Sequence, residues 1–209
     1  TGTEPVRGDF HYPVIVKLAW EHCSVGLTRD AVIERSSALP PLLQERIRVF
    51  SQPVYVEEFI LGREFQVTVL SRSRGVAVLP PAEITFQEKG NDAFLTYEGR
   101  WDEAHKDYAL SGVALAKLTS ALQQKLTRLG EETFTKLGFA DYARLDIRMQ
   151  GNRVYILEPN FNPGLSDDDD YGMTVSYRAA GMTFADFITE IVASCLRRFG
   201  KELLHGEKL

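Results

Sequence analysis

Short runs of apolar and β-branched residues predict several strands in the first part of the chain. Val14-Ile15-Val16 is one such run and is typical of a buried strand. Residues 54–59 and 64–70 predict two more strands, joined as a hairpin around Leu61-Gly62-Arg63, and residues 76–79 predict a fourth. The polar stretch 83–110 predicts a loop of a length that is uncommon and often functional.

Apolar residues spaced three or four apart predict helices elsewhere. A helix is expected over residues 29–38, and Pro40-Pro41 would interrupt it just beyond that range. A longer helical region is expected from Ser111, divided in two by Gly130. The last helix is expected to start at Thr183 with a capping-box sequence. The apolar stripe of the longer region consists of Leu115, Leu118, Leu122, Leu126 and Leu129.

A pair of alternating strands is the clearest pattern in the second half. Residues 143–149 and 153–157 are joined by the tight turn Gln150-Gly151-Asn152. Strands and helices are mixed without strict alternation along the chain, so the predicted fold class is α+β. The sequence has no internal repeat and no Walker, Gly-x-Gly-x-x-Gly or Gly-x-Ser-x-Gly motif.

Composition excludes two classes of protein. The 209 residues are 44% apolar and 25% charged, with a formal net charge of −5, as in ordinary globular proteins. This balance disfavours disorder, and it disfavours the broad basic surface that nucleic-acid binding requires. The acidic excess is concentrated in one run, formed by Asp167, Asp168, Asp169 and Asp170.

The cysteines and the first residues bear on the compartment. Cys23 and Cys195 are too few for a disulfide framework, and the polar start has no signal core. No apolar stretch approaches the roughly 20 residues of a membrane span. We therefore expect a cytoplasmic protein with no membrane partner. Because the chain does not begin with Met, we expect a processed chain or a piece of a longer one.

Lys17 is the first candidate for chemistry. It closes the first predicted strand, where its ammonium could meet a phosphate. The following loop, Ser24-Val25-Gly26, could offer backbone N–H groups to the same anion. A surface lysine followed by a plain turn would give the same pattern.

Two adjacent carboxylates lie in a later strand. Alternation places Glu57 and Phe59 on one face and Glu58 on the other, so one carboxylate faces inward. A buried carboxylate needs a partner, and an adenine amino group or ribose hydroxyls would serve. An edge strand with two solvated acids is the alternative.

The alternating hairpin carries the strongest candidate. Arg144, Asp146 and Arg148 share one face, and the turn would bring Asp146 near Glu158 and Asn160. Two carboxylates and an amide oxygen form a hard oxygen site suited to Mg²⁺. With Mg²⁺ holding nucleotide phosphates, Arg144 could stabilise the charge that develops in phosphoryl transfer. The alternative is a solvated face with exposed ion pairs, each worth under about 1 kcal/mol.

Taken in order, these segments resemble the ATP-grasp part of D-alanine–D-alanine ligases, from about Tyr12 to Leu196. A single segment is weakly specific, but their order and spacing together are highly specific. The segments are Tyr12-Pro13-Val14-Ile15-Val16-Lys17, Ser24-Val25-Gly26, Val56-Glu57-Glu58-Phe59-Ile60-Leu61-Gly62-Arg63-Glu64-Phe65, Arg144-Leu145-Asp146, Leu157-Glu158-Pro159-Asn160-Phe161-Asn162-Pro163-Gly164 and Ala179-Ala180-Gly181-Met182.

The resemblance implies an ATP-grasp fold, in which two α+β subdomains hold ATP between them. We expect residues 1–9 to be a polar lead-in, residues 10–70 the small subdomain and residues 71–209 the large carboxy-terminal subdomain. The family's amino-terminal domain, which helps to bind the first amino acid, has no counterpart in the sequence.

The resemblance also implies how the nucleotide is held. Lys17 would contact its phosphates, and the loop at Ser24, Val25 and Gly26 would close over them. Glu57 would meet the adenine amino group and Glu64 the ribose. The backbone near the adenine ring would be that of Glu58, Phe59 and Ile60.

For the reacting centre, the resemblance implies a metal site and two further groups. Asp146, Glu158 and Asn160 would bind two Mg²⁺ ions, for which Mn²⁺ could substitute. Arg144 would lie at the reacting centre, and Gly164 would offer a backbone N–H close to an acyl intermediate.

Two positions depart from the family pattern. Arg100 stands where the family usually has a lysine on a mobile loop over the active site, and we expect it to act there. The run Asp167–Asp170 fills the segment where serine-containing residues usually bind the carboxylate of the acceptor. An aspartate there would repel a carboxylate by several kcal/mol if desolvated. The sequence therefore predicts a neutral or cationic amine as acceptor instead of D-alanine.

The implied function is an ATP-dependent carboxylate–amine ligase. ATP would phosphorylate a small-molecule carboxylate, and a small-molecule amine would attack the acyl phosphate. The chain would act alone or as a homodimer, without nucleic acid. The alternative is a Mg-ATP-binding module with no ligase activity of its own. A purely structural role would leave the predicted metal ligands as a coincidence.

Overall fold

The structure is a computed structural model that describes residues 10–201. The predicted lead-in at residues 1–9 lies outside the described residues. The chain divides into two units. The first contains the residues up to 62 together with 86–112, and the second contains 63–85 together with the residues from 113 onward. This division differs from the predicted boundary at residue 70, because 63–70 joins the second unit and 86–112 joins the first.

The first unit is built on a three-stranded antiparallel sheet in the order β2-β1-β3. Strand β1 spans Val14–Leu18, β2 spans Val32–Ile33 and β3 spans Val54–Glu58. Alternation along β1 gives the sheet two apolar faces. One face packs on helix α1 (Leu39–Phe50), and its buried residues are Val14, Val16, Ile33, Leu39 and Leu42. The other buries Ile15, Ala31, Phe59 and Phe94.

The helix predicted over residues 29–38 is wrong. Residues 29–31 and 36–38 form single 3-10 turns around β2, and α1 begins at Leu39. Pro40 and Pro41 thus start the helix instead of ending it. The first N–H groups of a helix have no intrahelical acceptor, so a residue without an N–H is tolerated in that first turn.

Segment 86–112 is more structured than the predicted loop. It contains helix α2 (Tyr97–Trp101), flanked by 3-10 turns at 90–92 and 108–110. The Thr96 side chain accepts a hydrogen bond from the Gly99 N–H at 3.0 Å and so caps α2.

The second unit contains a six-stranded sheet in the order β7-β6-β4-β8-β9, with β5 paired to β4. The central strands β4 and β8 are antiparallel, from Arg63 opposite Met149 to Leu70 opposite Tyr142. The strand bounds are Arg63–Arg72 for β4, Gly75–Val78 for β5, Ala82–Phe86 for β6, Ser111–Leu115 for β7, Tyr142–Gln150 for β8 and Arg153–Asn160 for β9.

The predicted hairpin between residues 54–59 and 64–70 is wrong, although both strands exist. Strand β3 pairs with β1 in the first unit, whereas β4 pairs with β5, β6 and β8 in the second. Two strands that are close in sequence therefore belong to different sheets.

Three helices complete the second unit. Helix α3 (Ser120–Lys136) packs on one face of the sheet, while α4 (Gly172–Ala179) and α5 (Phe184–Arg198) enclose part of the other. The capping box predicted at Thr183 is confirmed, since its side chain accepts from the Asp186 N–H and Asp186 accepts from the Thr183 N–H.

The helical region predicted from Ser111 is partly wrong. Residues Ser111–Leu115 form strand β7, and α3 runs through Gly130 without a break. Gly130 is there because the helix lies close to the sheet. A Cβ at this position would lie 2.9 Å from Val78 Cγ2 and 3.4 Å from atoms of Val67 and Val69.

The predicted hairpin between β8 and β9 is confirmed, with one irregularity. Asp146 lies opposite Glu158, but Ile147 lies opposite Ile156, so Leu157 is an extra residue in β9. Val154 and Ile156 pack on the core beneath α3. The bulge at Leu157 changes the alternation, so that Glu158 and Asn160 lie on the opposite face, beside Asp146.

Within residues 10–201, no single helix is long and apolar enough to cross a membrane. Helices α4 and α5 reach that length and apolar content only when taken together, across a bend of 92°. Both bury side chains in the core of the second unit, among them Met173, Tyr177 and Phe187.

We predict that Gly130→Ala destabilises the protein. In an open helix this change adds up to about 1 kcal/mol of stability. Here the new methyl group would overpack the stiff Val78 side chain, at a cost of about 1–3 kcal/mol. Urea unfolding should show a net loss, and Gln124→Ala on the exposed side of α3 is the control. A gain in the free energy of unfolding would refute the close packing.

Candidate active site

In the first unit, two residues that the sequence predicts to bind the nucleotide form an ion pair with each other. Lys17 Nζ lies 2.5 Å from Glu57 Oε2, and the side chains are 26% and 44% exposed. Both share the sheet face that carries Ile15, because Ile15 lies opposite Glu57 and Lys17 opposite Tyr55. The pair is therefore partly open to solvent, and a ligand that contacts either side chain would compete with this ion pair.

The predicted phosphate loop is a pair of tight turns. Val25 N–H donates to His22 O at 3.2 Å, and Leu27 N–H donates to Ser24 O at 2.9 Å. Cys23, Ser24 and Gly26 all have positive φ angles. Among the described residues, nothing accepts from the N–H groups of Ser24 and Gly26. Two backbone N–H groups of this loop are therefore unpaired within the described residues.

Several groups of the predicted adenine-binding segment already contact other residues of the first unit. The Phe59 N–H donates to Pro13 O at 2.8 Å, and its ring meets Phe94 edge-on at 5.8 Å. The carboxylate of Glu58 accepts from the His11 N–H at 3.3 Å and is exposed. Ile60 is half-buried at the end of β3.

Arg100 lies in α2, within segment 86–112 of the first unit. Its Nε is buried, yet it donates to no partner within the described residues. An enclosed guanidinium nitrogen without an acceptor is costly, so Arg100 suits an anionic ligand at this position.

A buried ion pair anchors the segment that carries Arg100. Arg29 Nε donates to Asp107 Oδ2 at 2.7 Å, and Asp107 is 4% exposed. Thr96 donates to the same oxygen at 3.2 Å. Burial alone would raise the pKa of Asp107, but the hydrogen bonds and charge from Arg29, with the bond from Thr96, hold it below its ordinary value.

In the second unit, Glu64 is paired across the two central strands. Arg148 lies opposite Glu64 in the register, and its Nη2 is 2.7 Å from Glu64 Oε2. Arg148 is 3% exposed. Strand alternation predicted Arg148 on this face of the sheet, but no sequence pattern indicated that it pairs with Glu64, the proposed ribose residue.

Arg144, Asp146 and Asn160 come together on the same face of the sheet. Arg144 donates two parallel hydrogen bonds to the Asp146 carboxylate, from Nε to Oδ1 at 2.8 Å and from Nη2 to Oδ2 at 3.0 Å. Asn160 Nδ2 donates to Asp146 Oδ2 at 3.0 Å. Burial alone lowers the pKa of Arg144, but the Asp146 carboxylate raises it above the ordinary value, with help from Tyr171 and Glu158.

The chemistry of this cluster fits a hard divalent cation. The Asn160 amide points its nitrogen at Asp146, which leaves its oxygen as a possible ligand. Glu158 lies opposite Asp146 and is exposed. Asp146 accepts three hydrogen bonds, and a carboxylate offers about four lone-pair sites. Within residues 10–201, no three His, Cys, Asp or Glu side chains group as metal ligands, so a site here depends on the amide.

The turn at Gly164 is held by two tyrosines that the sequence analysis did not single out. Tyr142 Oη donates to Asn162 Oδ1 at 2.8 Å and lies 3.2 Å from Pro163 O. Tyr171 Oη donates to Gly164 O at 2.7 Å and accepts from Arg144 Nη1 at 3.1 Å. Tyr171 thus connects Gly164 with the cluster at Asp146.

The acidic run is partly neutralised. Arg178 on α4 forms ion pairs with Asp167 and Asp169, the first at 2.7 Å, and Tyr177 Oη donates to Asp167 at 2.6 Å. Asp168 accepts from the Ser166 hydroxyl. The hydrogen bonds from Tyr177 and Arg178 lower the pKa of Asp167. Burial, followed by the bond to Asp167, raises the pKa of Tyr177 to about 12.

Three residues near the site, Arg178, Tyr171 and Tyr142, were not predicted from the sequence, and only Arg178 could have been found from a sequence pattern. It is the only Lys or Arg between Arg153 and Arg197, and it follows the acidic run within one helix. A single base next to four acids is a candidate counter-ion. Tyr171 and Tyr142 had no such signal, because their partners lie on other elements.

Comparison with solved structures identifies the fold as the α+β ATP-grasp class. The structure superposes on the D-alanine–D-alanine ligase of Bacillus anthracis, solved in complex with ATP, with a TM-score of 0.68. The superposition covers 94% of this chain and 58% of that one, at 18% identity. The predicted α+β ATP-grasp fold is therefore confirmed.

Sequence comparison identifies the family. Residues 2–193 match the family described as the D-ala D-ala ligase C-terminus, and the chain belongs to it. It is 29% identical to the D-alanine–D-alanine ligase of Desulforudis audaxviator over 187 residues, which cover 90% of this chain and 56% of the relative. It is 31% identical to the uncharacterised protein y4sG of Sinorhizobium fredii, over 97% of this chain and 58% of that protein. The chain thus spans little more than half the length of these relatives.

We predict that Asp107→Asn loosens the first unit. It leaves the Arg29 charge without its partner, at a cost of about 1–3 kcal/mol in the free energy of unfolding at pH 7. Since the pKa of Asp107 is lowered in the folded protein, its contribution is complete above about pH 4 and is lost as the pH falls further.

Urea unfolding at pH 7 and at pH 3.5 measures both effects. Glu103→Gln, an exposed carboxylate in the same segment, is the control. The loss caused by Asp107→Asn should shrink at the lower pH. An equal loss at both pH values would contradict the ionic role of Asp107.

Proposed function

We propose that this chain is the nucleotide-binding and reacting part of an ATP-dependent carboxylate–amine ligase. One observation carries the proposal. In a chain of this family, Arg144, Asp146 and Asn160 are hydrogen-bonded together on β8 and β9, with Glu158 opposite Asp146. This arrangement combines oxygen ligands for a metal with a fixed cation for the transferred phosphoryl group.

The nucleotide phosphates would be held by Lys17 and by the N–H groups of the loop at 24–26. Two observations support this. Lys17 is partly exposed, and the N–H groups of Ser24 and Gly26 have no acceptor within the described residues. Glu57 would bind the adenine amino group and Glu64 the ribose. Each carboxylate would then give up part of the ion pair that it now forms, with Lys17 and Arg148 respectively. Arg100 would add positive charge at the phosphates.

Mg²⁺, or Mn²⁺ in its place, would be bound by Asp146, Glu158 and Asn160. When bound, the metal neutralises phosphate charge and holds the transferred group in line. Arg144 would keep its charge at every working pH, because its pKa is raised. The Gly164 N–H would stabilise the acyl phosphate, as an oxyanion donor does.

For the acceptor, we propose a neutral or cationic amine. Arg178 pairs with Asp167 and Asp169 and neutralises one of the four negative charges at 167–170, so the segment keeps a formal charge of −3. Within the described residues, Asp170 has no cationic partner. An acceptor carboxylate near this segment would be repelled, whereas an ammonium group would not.

The second candidate is a Mg-ATP-binding module without ligase activity of its own. The observation that favours it is length, since the chain covers 56% and 58% of two relatives. The two candidates differ in ADP release, which the ligase couples to a carboxylate and an amine. A binding module would bind Mg-ATP with no such dependence.

We predict that Glu158→Gln lowers the affinity for Mg-ATP by about tenfold or more, as expected when a charged metal ligand is lost. Titration calorimetry with and without Mg²⁺ measures this, and affinity for ATP alone should change little. Glu132→Gln on α3, an exposed carboxylate paired with Lys136, is the control. Asp146→Asn should act in the same direction, and unaltered Mg-ATP affinity in both variants would refute the metal assignment.

We predict that amines without a carboxylate stimulate ADP release more than D-alanine does. A panel of D-alanine, a neutral amino amide and a diamine tests this, each with a set of carboxylate donors. Asp170→Ser should raise the response to D-alanine by about tenfold, because one repelling charge is removed. Strong stimulation of the unchanged protein by D-alanine would contradict the proposed acceptor class.

A further inference from the structure

We infer that Tyr171 is a positioning residue that fixes the Arg144 guanidinium to the Gly164 turn, independently of Asp146. The consequence for catalysis rests on the proposed function of Arg144. The contact itself does not, because it belongs to the structure of the second unit.

One hydroxyl group makes both contacts. Tyr171 Oη accepts a hydrogen bond from Arg144 Nη1 at 3.1 Å and donates one to Gly164 O at 2.7 Å. A phenol has one proton to donate, so its direction is set by Gly164, and its lone pairs are turned to Arg144. The guanidinium and the turn are therefore held at a fixed separation by a single atom.

A close approach of helix and sheet places Tyr171 at this point. Tyr171 is the N-cap of α4, and Gly172 follows it as the first helical residue. A Cβ on Gly172 would lie 1.9 Å from Gln66 Oε1 and 3.3 Å from Gln66 Cβ, so a larger residue there would force the buried Gln66 side chain to move. Gln66 in turn lies opposite Asp146 in the register. The start of α4 thus sits over the strand pair that carries Arg144 and Asp146.

Arg144 needs a partner other than Asp146 if a metal binds. Three of its five N–H groups are accounted for, two by Asp146 and one by Tyr171. A cation on Asp146 would compete for the lone pairs that Arg144 now uses. The bond to Tyr171 does not involve those lone pairs. Tyr171 can therefore keep the guanidinium oriented while Asp146 serves the metal.

Tyr142 provides a matched control. Its hydroxyl contacts the same turn, at Asn162 and Pro163, and in the described part of the chain it forms no hydrogen bond with Arg144. Tyr142→Phe removes a hydroxyl bond to the turn and leaves the guanidinium untouched. Tyr171→Phe removes a bond to the turn and a bond to Arg144. A difference between the two variants therefore reports on Arg144.

The contact is tested first by NMR of the ¹⁵N-labelled full chain, without nucleotide. The arginine side-chain signals of residue 144 are assigned by their loss in Arg144→Lys. In Tyr171→Phe, we expect rotation about the Cζ–Nη1 bond to accelerate, while the Nε–H signal, held by Asp146, stays in place. Tyr142→Phe should match the unchanged protein. Hindered rotation in Tyr171→Phe, or the same change in Tyr142→Phe, would overturn the inference.

The role in the reaction is tested by ATP turnover with the same variants. Tyr171→Phe should lower kcat by about tenfold and leave the KM for ATP within about twofold, because orientation is lost and binding is kept. Tyr142→Phe should leave kcat within about twofold. An effect confined to the KM for ATP, or an equal loss in both variants, would overturn a positioning role.

Two safeguards separate the possible failures. Unfolding midpoints verify that both variants fold. Tyr171→His is a second variant, whose neutral ring has an acceptor nitrogen for Nη1 and is expected to retain part of the hindrance there. If the unchanged chain turns over no ATP with any donor and amine, the proposed function fails. The NMR result still decides whether Tyr171 holds Arg144.

Discussion

The second unit depends on the alternation of side chains along its two central strands. In β4 and β8, one set of alternate residues is apolar and fully buried beneath α3, and it includes Phe65, Val67, Leu145 and Ile147. The other set carries the charges of the candidate site. Because the period is two, a single strand pair supplies both the core and the chemistry, and neither can change its register without the other.

The charged set is nearly as buried as the apolar one. Arg148 and Arg144 are 3% and 9% exposed, and each is paired with a carboxylate of the same sheet face. Removing one partner of a buried pair costs about 3–5 kcal/mol, since the other charge is left without compensation. The candidate site is therefore part of what stabilises the unit. Substitutions there must be judged on stability as well as on activity.

Local patterns predicted the features that depend on local structure. The β8–β9 hairpin and the capping box at Thr183 follow from neighbouring residues, and both are present. The resemblance identified the family and the ATP-grasp fold. The pairing of β3 with β1, the start of α1 at Leu39 and the unbroken helix at Gly130 depend on distant contacts, so the local pattern predicted them wrongly.

The same distinction applies to the site. Arg144 and Asp146 could be placed together from strand alternation alone, but their partner Tyr171 could not. Tyr171 reaches Arg144 from the start of α4, where the next residue, Gly172, lies close to Gln66 of β4. The acidic run shows the limit of counting charges. Its formal charge was visible in the sequence, but the counter-ion on the next helix, Arg178, is a property of the fold.

The extra residue Leu157 has a consequence for how this hairpin can vary between relatives. If Leu157 were paired as a regular strand residue, the alternation that buries Ile156 would turn Glu158 and Asn160 into the core, although every residue of the proposed metal site would still be present. Deleting Leu157 would instead leave Glu158 directly after Ile156 and still opposite Asp146, so the ladder would become regular with the ligands on the same face. In a sequence alignment, a relative with one residue fewer between the turn at Gly151 and Glu158 is therefore expected to present its ligands on the same face of the sheet.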